Sequence, residues 1–391
     1  MINIAVLTAT RAEYGLLKPL LSRLKEDSMF NLKLLVTGAH LSPEFGLTYK
    51  EIEKDGYFID KKVEMLLSSD SSASISKSMG LALIGFAEYF SQYRPDFLLV
   101  LGDRYETLAV ALAAMNENIP IIHLYGGEKT EGAVDESIRH SLTKLSYLHF
   151  TSTEEYKNRV IQLGEHPDRV KVVGGLGIEN IQNESLLSKD SFFEDVNISP
   201  DKPYAMVTFH PVTLEEGNKV ENQIRSLLSA MNYFPNIQFL ITKANADAHG
   251  RIINQLIDHY VEQNSHAMAF KSLGVKRYLS GLKYASFVLG NSSSGILEAP
   301  SFGVPTINIG DRQKGRIQAE SIINCMPKVD SIKHAIEQAI SPEFQLIAEQ
   351  ANNPYGDGNT SEKIIKVLKE IENIEIFDLK KSFYDLGEIN G

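Results

Sequence analysis

Short apolar runs alternate with helical patterns almost from end to end of this chain, and few folds accept that rhythm. Residues 2–8 read as a buried strand, and Leu16, Leu17, Leu20, Leu21 and Leu24 give the next helix its apolar stripe. Further strands are expected at 32–36, 57–63, 97–101, 119–124, 147–151 and 170–173, with helices over 74–93, 105–116 and 154–163. Strands separated by helices demand right-handed crossovers, which give a parallel sheet covered on both faces. Gly174, Gly175 and Gly177 punctuate the end of this half, and a polar stretch follows at 183–201. The pattern then restarts, with strands expected at 204–209, 237–242, 267–270, 287–289 and 305–309.

A chain of 391 residues exceeds what one core usually organises, so two α/β domains are expected. We place them at 1–180 and 181–365, with a helix and tail over 366–391 that cross back to the first domain. Ligands of open α/β sheets bind beyond the carboxyl ends of the strands. The polar residues gather in those places. Arg11 follows the first strand, Asp103 and Arg104 follow 97–101, and Glu128, Glu131, Asp135 and Arg139 follow 119–124. In the second half His210 follows 204–209 and Asn245 follows 237–242.

Gly290-Asn-Ser-Ser-Ser-Gly295, with Glu298 and Arg312 beyond it, reads as strand, tight loop and helix. Such a loop turns amides and hydroxyls toward one point, where an anion or a simple helix cap both fit. Asp103 is either a partly desolvated acid–base group or the N-cap of the helix at 105. Asp135 is either an acid–base group or a first-turn acid paired with Arg139. Glu128 and Glu131 flank Gly132 on a loop that solvent alone would also explain. His210 is stiffened by Pro211, and a hydrogen-bonded strand-end histidine is its plain alternative. Arg11 opposes the dipole of the helix it opens, a local conflict that points to an anionic ligand.

The formal charge of −11 argues against a nucleic-acid or anionic-membrane surface. A single cysteine, Cys325, excludes a disulfide framework and a cysteine-rich metal site. No metal constellation, Walker loop or Gly-x-Gly-x-x-Gly after the first strand is present, so neither metal nor cofactor is expected. The N-terminus enters a strand-like run directly and no stretch reaches membrane-span length, so a soluble cytoplasmic protein is expected.

Thr10-Arg-Ala-Glu-Tyr-Gly15, Gly102-Asp-Arg-Tyr-Glu106, the run from Gly126 to His140, His210-Pro-Val-Thr213, Gly290-Asn-Ser-Ser-Ser-Gly295 with Glu298, and Gly310-Asp-Arg-Gln-Lys-Gly-Arg316 together resemble the hydrolysing UDP-N-acetylglucosamine 2-epimerases. The resemblance runs from the first strand to Asn359. It implies two Rossmann-like domains facing across a cleft, a glycosyltransferase-B-like fold. It also implies conversion of UDP-N-acetylglucosamine and water to N-acetylmannosamine and UDP, for sialic-acid or related surface-glycan synthesis. The family's route removes the C2 proton as UDP leaves C1, forming a 2-acetamidoglucal that water then re-adds across. On that footing Asp103 and Asp135 are the acid–base candidates. His210, Arg11, Ser292, Ser293 and Gly295 would hold the diphosphate, Glu298 the ribose, and Arg312 a phosphate or the sugar. Arg104, Asn245 and Ser272 would line the same pocket, in a homodimer or homotetramer.

One position departs from the pattern. Relatives carry an acid two residues after the histidine that matches His123, whereas this chain has Tyr125, which leaves Glu128 or Glu131 as the substitute. An alternative of the same mechanism acts on a UDP- or GDP-linked 2,4-diacetamido-2,4,6-trideoxyhexose, on the route to legionaminic acid. A glycosyltransferase and a non-catalytic sugar-nucleotide sensor are the readings from other classes; fold alone permits both.

Overall fold

The computed structural model describes residues 1–67, 71–129, 135–210, 217–243, 250–271, 273–371 and 379–387. Glu131, Asn245 and Ser272 therefore lie outside the described residues. The chain forms two compact units, Met1–Asn180 with Tyr355–Gly391, and Ile181–Pro354. Residues 355–365, expected in the second domain, belong to the first. The cause is the helix Thr360–Lys369, which buries Ile364, Ile365 and Leu368 in the same core as Leu17, Leu20 and Leu24 of the helix Arg11–Glu26.

Among the described residues the first unit holds β1 (Ile2–Thr8), β2 (Phe30–Thr37), β3 (Lys61–Val63), β4 (Phe97–Leu101), β5 (Ile121–Leu124), β6 (Leu148–Thr151) and β7 (Val170–Val172). They pair in the order β3-β2-β1-β4-β5-β6-β7, all parallel. Both faces are covered. Ile4 and Val6 of β1 pack with Leu17 and Leu21 on one side, while Ala5 and Leu7 pack with Phe86 and Ala113 on the other. Burial on both faces explains why these strands read as continuous apolar runs rather than alternating ones.

The second unit repeats the plan with β8 (Tyr204–Thr208), β9 (Gln238–Thr242), β10 (Ala267–Phe270), β11 (Phe287–Gly290), β12 (Thr306–Ile309) and β13 (Ile322–Cys325). Their order is β10-β9-β8-β11-β12-β13, again parallel. Phe239, Phe287, Leu227, Ile257 and Ile336 lie in its core; each such side chain contributes about 1.5–3 kcal/mol by leaving water.

Two strands differ from expectation. β3 begins only at Lys61, because the Asp60 carboxylate accepts the Leu34 N–H at 2.9 Å in place of a strand carbonyl, leaving Tyr57 to pack edge-on against Tyr14. β13 was not expected. It is a half-buried edge strand whose Asn324 accepts from Asn308 at 2.8 Å, so its apolar signal is short and broken.

A buried charge cluster secures the C-terminal segment to the first unit. Glu165, fully buried, accepts from Lys144 (2.6 Å) and His149 (3.1 Å), with the Lys381 ammonium at 2.6 Å. Burial raises the Glu165 carboxyl, but the bonds from His149, Lys144 and Lys381 outweigh it and hold the group down to about 2. Lys381 also donates to the carbonyls of Lys144 (2.8 Å) and Ser146 (2.6 Å) at the end of the helix Asp135–Leu145.

Gly290 ends β11 at φ +140°, and a Cβ there would lie 1.9 Å from the Thr208 carbonyl oxygen of β8. Replacing Gly290 with Ala must therefore pry apart the central strand pair of the second unit. We expect a loss of about 1–3 kcal/mol or more, measured as a fall in the denaturant midpoint; an unchanged midpoint would refute the contact.

Candidate active site

In the first unit three neighbouring strands, β1, β4 and β5, deliver the polar residues from their carboxyl ends. Asp103 follows β4 and Gly102, and is not a helix cap: the N-cap is Arg104, which makes no side-chain cap bond. Instead the Asp103 carboxylate is ion-paired to the buried guanidinium of Arg139. Arg139 also donates to Glu136 (2.5 Å) and to the Glu128 carbonyl (2.7 Å). Among the described carboxylates Arg139 thus pairs with Asp103 and Glu136 rather than with the expected Asp135. His123 of β5 donates from Nε2 to the Gly102 carbonyl at 2.7 Å, and burial pushes its imidazole down to about 3, so it stays neutral. That bond fixes the turn that presents Asp103.

Asp135 is the first residue of its helix, and its carboxyl is raised above the usual range by loss of solvent first and by the Asp103 charge second. Arg104 and Arg139 pull in the opposite direction without reversing the shift. Two carboxylates near two guanidiniums therefore differ in surroundings, one held in an ion pair and the other with its carboxyl raised by burial and by its neighbour's charge. Glu128 is half-buried, not a solvated loop residue, and accepts from Ser152 at 3.4 Å.

Arg104 forks Glu106 at 2.9 and 3.2 Å and lies 3.9 Å from Glu13. Glu13 is the acid of a capping box on Thr10, accepting the N–H groups of Ala9 (2.7 Å) and Thr10 (3.1 Å). Arg11 is exposed and pairs with Glu51 at 3.0 Å, which resolves the conflict with its helix dipole inside the chain. Tyr125 sits at φ +69° and its hydroxyl accepts the Leu176 N–H at 2.7 Å, so it anchors the helix Leu176–Asn183.

In the second unit β8, β11 and β12 are likewise neighbours, and Asn291 is their hub. Its side chain takes the His210 N–H at 2.7 Å and donates to the His210 carbonyl at 2.8 Å. Its own carbonyl accepts from Arg312 (3.0 Å) and Gln313 (2.9 Å). One buried amide thus ties together the loops carrying His210, Ser292 and Arg312. Ser292 caps the helix Ser293–Leu297, as the plainer reading of the loop has it. With only five residues that helix has little macrodipole, so any anion there depends on local N–H groups and hydroxyls. Gly295 is packed against β12, its carbonyl accepting from Thr306 at 2.9 Å. Glu298 accepts from Ser294 at 2.5 Å, and Ser294 in turn accepts from Tyr278 at 2.8 Å. Burial raises the Glu298 carboxyl, partly offset by Ser294.

The structure thus brings Asp103, Asp135 and Arg139 near one another in the first unit and joins the loops of His210, Ser292 and Arg312 in the second, while Arg11 turns to Glu51. Glu13, Glu106, His123 and Asn291 join them without having been singled out for function. Glu13 had a readable signal, the Thr10-x-x-Glu13 spacing of a capping box, but that spacing announces only a helix start.

Residues 22–369 match the family described as UDP-N-acetylglucosamine 2-epimerase. The chain is 44% identical, over 98% of its length and 99% of the relative, to a GDP/UDP-N,N'-diacetylbacillosamine 2-epimerase (hydrolyzing) of Campylobacter jejuni. It is 40% identical, over 99% of its length and 98% of the relative, to polysialic acid biosynthesis protein P7 of Escherichia coli. Its fold matches the crystal structure of the Neisseria meningitidis UDP-GlcNAc 2-epimerase bound to UDP-GlcNAc with a TM-score of 0.81, at 20% identity, covering 95% of this chain and 100% of that one.

Burial raises the Glu13 carboxyl from about 4.5 to about 7 against the opposing bonds from Ala9 and Thr10. A folded value above the unfolded one gives a stability term fully present below pH 4.5 and lost as pH rises toward 7. Glu13→Gln keeps an acceptor for the two amides and removes the titration. Its stability relative to the parent should climb between pH 4.5 and 7 and then level off. Chemical denaturation at several pH values would test this, and a pH-independent difference would contradict it.

Proposed function

The chain belongs to the UDP-N-acetylglucosamine 2-epimerase family, and from that premise we propose that it is a hydrolysing 2-epimerase of a nucleotide-linked 2,4-diacetamido-2,4,6-trideoxyhexose. The observation that carries this choice of sugar is the 44% identity, end to end, with the Campylobacter diacetylbacillosamine enzyme. It reverses the order of preference between two sugars whose diphosphates the motifs cannot tell apart. UDP-N-acetylglucosamine remains the second reading, favoured by the 40% identity with the polysialic acid protein.

In the proposed reaction a carboxylate takes the C2 proton. The C2–H electron pair becomes the C1=C2 double bond as the C1–O bond breaks, and the nucleoside diphosphate leaves with that bond's electrons. Water then adds its oxygen to C1 as a carboxylate takes the proton it sheds, and an acid delivers a proton to C2 from the face opposite to the one first deprotonated, inverting that centre. Asp103, held by Arg139, is assigned the proton-accepting role, and Asp135, whose carboxyl is raised by loss of solvent, the donating role. Glu128, half-buried beside Arg139, takes the place of the family acid missing at Tyr125. His210, Arg11, Ser292, Ser293 and Gly295 are assigned to the diphosphate, Glu298 to the ribose, and Arg312 to a phosphate or the sugar. Arg104 is assigned to the lining of the same pocket.

Incubation in deuterated water with each candidate sugar nucleotide, followed by proton NMR, tests the reading. Deuterium at C2 and a free 2,4-diacetamido-2,4,6-trideoxy product, formed faster than N-acetylmannosamine from UDP-N-acetylglucosamine, are expected. Faster turnover of UDP-N-acetylglucosamine would favour the second reading, and a requirement for a sugar acceptor would reject both.

Asp103→Asn and Asp135→Asn should each lower turnover by about 10²–10⁴-fold; Asp135→Asn should leave the melting temperature little changed, whereas Asp103→Asn also weakens the ion pair to the buried Arg139 and lowers it. Normal turnover in either variant would remove that residue from the acid–base pair.

A further inference from the structure

Lys381 meets Ser146 from 235 residues further along the chain. Its ammonium donates to the carbonyls of Thr143 (3.4 Å), Lys144 (2.8 Å) and Ser146 (2.6 Å) and pairs with the buried Glu165 carboxylate. The last carbonyls of a helix lack partners within it. Thr143 and Lys144 lie in the last turn of the helix Asp135–Leu145, so this one cation closes that end and meets the negative pole of its dipole. Glu165 also grips Lys144 of the same helix at 2.6 Å, and the Lys144 ammonium lies 5.1 Å from the centre of the Phe383 ring. Gly164, at φ +85°, leaves the space which that ring occupies, and its carbonyl accepts the Tyr384 N–H at 2.9 Å. The segment carrying Lys381, Phe383 and Tyr384 is thus fitted to the end of one helix.

The opposite end of that helix carries candidate-site residues. Asp135 is its first residue, about 15 Å from Leu145 along the axis, and Arg139 lies one turn on. Beyond the helix itself, Arg139 is bound by the Asp103 carboxylate and by the Glu128 carbonyl. A long side chain follows a sliding helix by changing its own torsions, so these bonds alone do not fix where Asp135 stands. A clamp on backbone carbonyls at the far end does, because a hydrogen-bonded helix carries an axial shift from one end to the other.

We propose, on the acid–base roles given above to Asp103 and Asp135, that Lys381 is a positioning residue for the reaction: through this helix it sets the axial position of Asp135 and Arg139. A displacement of about 1 Å at a reacting group costs about 10²-fold in rate. His210, Ser292 and Glu298 lie in the other unit, so nucleotide binding should not follow turnover.

Three variants of the full chain test the clamp: Lys381→Met, Lys381→Arg and Phe383→Ala. The readouts are turnover of the sugar nucleotide that the parent accepts, UDP affinity by calorimetry, and hydrogen exchange at the amides of residues 135–145. Lys381→Met should lower kcat about tenfold or more, with KM and the UDP dissociation constant within about twofold of the parent, and should speed exchange in the helix. Lys381→Arg keeps a cation with several donors and should recover most of kcat. Phe383 is 62% exposed, so Phe383→Ala should fold even where Lys381→Met does not, and should show a smaller loss of kcat at unchanged KM. Parental kcat in both Lys381→Met and Phe383→Ala, or a loss shared by KM and UDP affinity, would overturn the proposal. A parent that turns over neither sugar nucleotide would reject the proposed function instead; unchanged exchange at residues 135–145 in Lys381→Met would then still remove the clamp.

Discussion

Parallel pairing of β1 with β4, and of β8 with β11, is the constraint on which the candidate site depends. In each sheet these two strands lead in opposite directions to the rest, so the loops leaving them diverge and open a crevice at their carboxyl ends. The chain uses this geometry twice. Arg11, Asp103 and Asp135 leave β1, β4 and β5; His210, Ser292 and Arg312 leave β8, β11 and β12. Residues distant in sequence are neighbours only because these pairings are parallel.

The loops are fixed by buried polar groups that do not themselves have to touch a ligand. His123 holds the Gly102 carbonyl, Arg139 holds Asp103, and Asn291 holds His210 in both directions. Each is buried, and a buried polar group left unpaired costs about 1–3 kcal/mol. The loop conformations are therefore enforced by the penalty of losing these bonds. A reacting group placed this way reorganises little during reaction, which is where electrostatic preorganisation acts.

Much of this was legible in the sequence because it obeys local rules. Doubly buried strands write themselves as apolar runs, and loops after them collect Asp, Gly and His. What was not legible depends on contacts between distant segments. Nothing local says that Arg139 would choose Asp103 over Asp135, or that Arg11 would find Glu51. Tyr125 was legible as a departure from a pattern; its reason was not. Its hydroxyl reaches Leu176, so the position serves the packing of a later helix. The edge strand Ile322–Cys325 escaped notice because edge strands carry half the apolar signal of central ones.

The same distinction bears on the choice of sugar. Diphosphate and ribose are common to both candidate substrates, so Ser292 and Glu298, in the roles proposed for them, would exert equal pull on either. Discrimination must come from groups near C4 and C6 of the hexose, where one candidate carries an acetamido and a methyl group and the other carries hydroxyls. A site that hydrogen-bonds a hydroxyl rejects its absence far more strongly than an apolar pocket rejects an added hydroxyl. The C4 acetamido offers an N–H and a carbonyl to bond, so rejection of the C6 hydroxyl is the harder part of a preference for the deoxygenated sugar. It requires an apolar wall, or a steric or polar device placed against the competing hydroxyls. The motifs that reveal this family are therefore the residues least able to identify its sugar.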